Sequence, residues 1–69
     1  MSDHVYKTIE LTGTSSTSIE DAVTKAIAKM ADSVRNMRWF QVTETRGHIK
    51  DGKVDCWQIT LKVGFTLDG

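Results

Sequence analysis

The segment "KVDCWQITLKVGF", residues 53–65, places Trp57, Ile59, Leu61, Val63 and Phe65 at every second position. Successive side chains of an extended strand point to opposite faces, so this spacing gathers five apolar groups on one face. Such a face has to be covered, which fixes a sheet with another layer packed against it. The opposite register holds Val54, Cys56, Gln58, Thr60, Lys62 and Gly64, and it asks for a different environment.

The cover is legible upstream. Ile19, Val23, Ile27, Met30 and Val34 recur at steps of four, four, three and four, which is one stripe of an amphipathic helix. Ala22, Ala26 and Ala31 widen the stripe, while Glu20, Lys25, Lys29 and Asp32 fall outside it. The helix is expected from about Ile19 to Val34. Thr17 with Glu20 reads as a capping box at its start, after the hydroxyl-rich turn "TGTSSTS".

Two further runs alternate. "VYKTIEL" carries Val5, Ile9 and Leu11 in one register, and "RWFQVTETR" carries Phe40 and Val42 in another. Asp51-Gly52 stands between the last two runs, and tight two-residue hairpins favour this pair because they require positive φ. The expected fold is α+β: a three-stranded antiparallel sheet in β-α-β-β order, packed on one amphipathic helix. One domain over residues 1–69 is expected, with no linker or internal repeat.

A chain of 69 residues buries only about 60% of its unfolded surface, and such domains often need a disulfide, a metal or self-association. Cys56 is the single cysteine, so no internal disulfide forms, and it stands outside any Cys/His pattern for zinc. Self-association is the device left. Nine basic and nine acidic residues give a formal net charge of +0, which offers no patch for a nucleic-acid backbone. The opening "MSDHVYK" lacks a secretory pattern and no apolar run reaches a membrane span, so a cytoplasmic protein is expected.

Trp39 does not fit this economy. It alternates with Phe40 and Val42, in register with Gln41, Thr43 and Thr45, so it points away from the helix. Gln58 lies on that same helix-free face, which is expected to be mostly polar and uncharged, whereas Trp57 is most simply a core residue. An aromatic ring placed there anchors either an interface between copies or a flat ligand. Indole supplies a π-face, and the Gln58 carboxamide supplies one acceptor and two donors for a heterocycle edge.

The runs "VYKTIELTGTSSTSIEDAVTKAIAKMADSVRNMRWFQVTETRG" and "WQITLKVGF" resemble the dodecins, small flavin-binding proteins, over essentially the whole chain. The resemblance implies a hollow homododecameric shell holding paired flavins, FMN or riboflavin, between symmetry-related tryptophans. Trp39 matches the stacking position, and Gln58 matches the glutamine that hydrogen-bonds the isoalloxazine edge. Arg46 matches an arginine of the bacterial branch near the site. Glu44 matches an acidic position that contacts the ribityl chain in some members. Strict alternation from Trp39 puts Glu44 and Arg46 on the opposite face, and a bulge near Gly47 would bring Arg46 round.

Elsewhere the plain readings stand. His4 and His48 are surface polar groups, and Cys56 has no nucleophile pattern around it. Lys25, Lys29 and Arg35 are a solvated helix side which, in an assembly, could form a second anionic site. Some bacterial dodecins bind coenzyme A, so it is the second ligand considered. The expected function is a non-enzymatic store that stacks flavin on Trp39 and quenches its photochemistry. The alternatives are a flavin-dependent enzyme, which needs an acid or base beside the flavin, and a structural shell without flavin.

Overall fold

A computed structural model describes residues 3–67; residues 1–2 and 68–69, the ends of the expected domain, lie outside them. The chain runs β1 (Tyr6–Ser15), α1 (Ile19–Met30), β2 (Met37–Lys50) and β3 (Lys53–Thr66). The three strands form one antiparallel sheet in the order β1-β3-β2, so the most apolar strand takes the centre. Asp51 (φ 54°) and Gly52 (φ 75°) close the β2–β3 hairpin with both residues left-handed, as the two-residue turn requires. No helix among the described residues is long and apolar enough to cross a membrane.

The helix begins at Ile19, as its sequence pattern suggests, but its cap lies one residue later than expected. Ser18, not Thr17, is the N-cap; its hydroxyl accepts the Asp21 N–H at 3.0 Å. Ser15 reinforces the entry by donating to Asp21 Oδ2 at 2.6 Å while accepting the Thr17 N–H at 2.9 Å. The helix also ends at Met30 rather than Val34. Residues 31–33 form turns, but Val34 N–H still bonds the Met30 carbonyl at 2.9 Å. That single i→i+4 bond keeps Val34 over the core, which is why the stripe outlasts the helix. Asn36 (φ 66°) then reverses the chain into β2.

Small residues let α1 approach the sheet. Ala22 is fully buried, and a Cβ on Gly13 would meet the Ala22 carbonyl oxygen at 2.9 Å and the Ala26 Cβ at 3.0 Å. Ala22, Ala26 and Met30 close over Ile59, Leu61 and Val63 to make the core. Twelve helical residues cover about 18 Å, whereas fourteen strand residues span about 46 Å. The sheet therefore overhangs the helix, and the molecule measures 53 × 21 × 15 Å.

The overhang decides the fate of the outer apolar residues. Trp57 and Phe65, at the two ends of the apolar register, are half-buried and lie outside the core. Trp57 is thus not the core residue that its register implied. It sits opposite Ser15, the last residue of β1, where the hairpin arm leaves the three-stranded sheet, and with exposed Ile49 and Val54 it lines a recess of about 320 Å³. Val54 joins this side because a register shift beside Asp55 pairs it with Ile49. On the other flank, half-exposed Phe40 and Val42 line a groove of about 650 Å³ against Ile19, Val23 and Ile27. Apolar surface open on both flanks is what a self-associating chain presents.

Candidate functional site

The face away from α1 is built in rows across the three strands. Thr8, Gly64 and Trp39 make one row, Glu10, Lys62 and Gln41 the next, then Thr12, Thr60 and Glu44, and finally Thr14, Gln58 and Arg46. The face is less neutral than alternation suggested, because Glu10, Lys62, Glu44 and Arg46 all stand on it.

Trp39 occupies the side of the sheet expected for it, and its indole lies directly over Gly64. A Cβ added at Gly64 would fall inside the ring atoms Cε2, Cζ2 and Nε1, so only glycine permits this pose. Tyr6, one row along on β1, meets the indole edge-on, with ring centroids 6.1 Å apart and planes at 63°. Trp39 remains 39% exposed, so a flat ring has a surface to stack on. Neither Gly64 nor Tyr6 was singled out by sequence reasoning. A glycine inside an otherwise regular strand pattern was the available signal for a close approach.

Gln58, Arg46 and Glu44 gather at the other end of the face. The register of β2 shifts between Val42 and Glu44, leaving Thr43 as the bulged residue. Its hydroxyl donates to the Thr60 carbonyl at 3.2 Å. One extra residue inverts the alternation downstream. Glu44 then stands opposite Thr60 and Arg46 opposite Gln58, while Thr45 moves to the helix side opposite Ile59. The required bulge exists, but it lies at Thr43 and not near Gly47. Thr45 consequently does not share the register of Trp39.

Arg46 Nη1 and Glu44 Oε1 are 3.6 Å apart, with both side chains more than half exposed, so the pair is loose and free to engage a ligand. Gln58 is half-buried at the foot of this pair. Trp39 and Gln58 share a face but not a pocket. Gly64 lies six positions along β3 from Gln58, which is about 20 Å along the strand.

The remaining candidates are unremarkable in their surroundings. His48 lies within β2, opposite Cys56. Lys25 pairs with Asp21 at 3.0 Å, and Arg35, beyond the helix, donates to the Ala31 carbonyl at 2.7 Å. Among the described residues no three His, Cys, Asp or Glu side chains converge as metal ligands.

Comparison with known proteins agrees with this architecture. The dodecin family model matches residues 5–68. A dodecin from Thermus thermophilus is 42% identical over 64 residues, 93% of each chain. A Mycobacterium tuberculosis protein named calcium dodecin is 35% identical over 63 residues, covering 91% of this chain and 89% of the relative. The structure of dodecin from Streptomyces coelicolor superposes with a TM-score of 0.90 at 42% identity, covering 100% of this chain and 99% of that one. The strand order, the helix on one side only and the sequence match over nearly the full length agree: the chain belongs to the dodecin family.

Proposed function

We propose that this protein is a non-enzymatic flavin-binding homododecamer that stores or sequesters FMN or riboflavin in the cytoplasm and quenches its photochemistry. The observation that carries this reading is the Trp39 indole laid over Gly64 on the helix-free face, with its outer surface open. A three-ring heterocycle stacks on that surface, and the electron-rich indole donates an electron to the excited flavin. Back-transfer returns both partners to their ground states, so light energy leaves as heat.

The separation of about 20 Å between Trp39 and Gln58 makes the site composite. Trp39 of one copy supplies the platform, and Gln58 of a neighbouring copy pairs with the pyrimidine edge of the ring. Arg46 and Glu44 then lie toward the ribityl chain and the phosphate. This arrangement also uses the open flanks, since a monomer leaves Phe40, Ile49 and Val54 in water. The free thiol Cys56 suits a reducing compartment.

Calcium enters because one relative is named for it. Glu44, beside Arg46, suits an anionic ligand better than a divalent cation. Coenzyme A as a second ligand has weaker support, because Lys25 and Arg35 already have partners. The deciding experiment is a fluorescence titration of FMN with the intact protein, beside light scattering and calorimetry with calcium. Saturable quenching by a large closed oligomer supports the proposal. FMN that stays fully fluorescent refutes it, and calorimetric uptake of calcium alone would turn the reading to a cation-binding shell.

A further inference from the structure

We propose that Tyr6 and Gly64 are positioning residues that hold the Trp39 indole in the single pose used for stacking, an inference that rests on the flavin reading above. An exposed tryptophan on a strand ordinarily has several rotamers open to it, and a ligand that selects one must meet the entropy of freezing it. Here two contacts do that beforehand. Gly64 is the floor: the indole occupies the volume that any side chain there would take. Tyr6 is the wall: its ring stands 6.1 Å from the indole at 63°, the edge-to-face geometry that aromatic quadrupoles favour.

The two contacts restrain different motions. The floor prevents the indole from tilting into the sheet, and the wall blocks its swing along the strand toward Thr66, the partner of Tyr6 in β3. The His4 ring, 6.2 Å from Tyr6 and tilted by 53°, continues the row behind the wall. With one indole face against the sheet and one edge against Tyr6, only the outward face is left for a ligand. The contact is made by the tyrosine ring, so phenylalanine should replace it and an aliphatic side chain should not.

The test uses the whole protein in a Trp57→Phe background, where Trp39 is the sole tryptophan. Near-ultraviolet circular dichroism and fluorescence anisotropy decay without flavin then report the order of one indole. FMN titration of the same proteins reports its use. Tyr6→Leu should lose the tryptophan bands, speed the anisotropy decay and weaken FMN binding about three- to tenfold. Tyr6→Phe should restore all three to within about twofold of the parent. Unchanged bands and decay in Tyr6→Leu overturn the inference, as does failure of Tyr6→Phe to rescue. If the parent binds no FMN, the flavin reading fails, while the flavin-free signals still decide whether Tyr6 orders Trp39.

Discussion

Arg46 stands directly across from Gln58 on the β2–β3 pair, and its guanidinium lies 3.6 Å from the Glu44 carboxylate on the same face. One bulged residue, Thr43, produces this relationship by changing which side of the sheet the end of β2 presents. A polar carboxamide, a fork of N–H donors and a carboxylate therefore meet at one end of a face whose other end carries an indole. The assembly, if it closes as proposed, joins the two ends between copies.

Arg46→Ala should lower affinity for FMN more than affinity for riboflavin, because the guanidinium is always charged and only FMN carries a phosphate. The side chain is 62% exposed, so solvent screening limits the difference to about 1 kcal/mol. Parallel titrations with both flavins at low and high salt check this. The difference should shrink as ionic strength rises. Equal losses for the two ligands would remove Arg46 from the phosphate.

Gln58→Ala should weaken flavin binding by about 1–2 kcal/mol and leave the oligomer intact, since one polar pairing to the ring edge is lost. A composite site makes a second demand. Oligomers co-assembled from Trp39→Ala and Gln58→Ala chains contain some sites with both side chains present, and should bind more FMN than either parent. Hybrids that bind no better than their parents would show that one chain supplies both groups.

Trp39→Ala should cost more affinity than Gln58→Ala, because stacking of a flat heterocycle on an aromatic ring contributes about 1–3 kcal/mol and burial of the indole adds to it. Flavin that still binds should regain fluorescence. Trp57→Phe is the control: Trp57 is half-buried on the helix side of the hairpin arm, so quenching should persist and stability should fall by less than about 1.5 kcal/mol. Quenching lost with Trp57 and kept without Trp39 would reverse the assignment.

Gly64→Ala should drive the indole off the sheet, since the new methyl group would occupy the ring's own volume. A loss of FMN affinity of tenfold or more is expected, about 1.4 kcal/mol. The tryptophan circular dichroism should change with it. A crystal structure of the variant with the indole still in place would contradict the close packing described here.

Acid should loosen the start of α1. The Ser15 hydroxyl, and after it Lys25, hold the Asp21 carboxyl below its ordinary value of 3.8. An unfolded chain then binds the proton more readily than the folded one, so the stabilisation is complete above that value and fades as pH falls through the lower folded value. Ser15→Ala should reduce stability at neutral pH and flatten the pH dependence below about pH 4. Urea unfolding at a series of acidic pH values measures both, and an unchanged slope would remove the Ser15–Asp21 bond from the balance.

The sequence alone determined the elements and their layers. Period-two alternation in residues 53–65, a helical stripe from Ile19 and Asp51-Gly52 are local patterns, and local patterns report which side of an element is buried. They also placed Trp39 on the helix-free face that Gln58 shares. Tertiary structure decided the rest. The bulge at Thr43 has no local marker, because Thr43 and Thr45 suit either side of a sheet, so the alternation could not reveal that Glu44 and Arg46 cross over. The burial of Trp57 depended on how far a helix of twelve residues reaches along a strand of fourteen, a ratio that no register records. The floor under Trp39 required two strands to meet before the empty side of Gly64 became the space an indole fills.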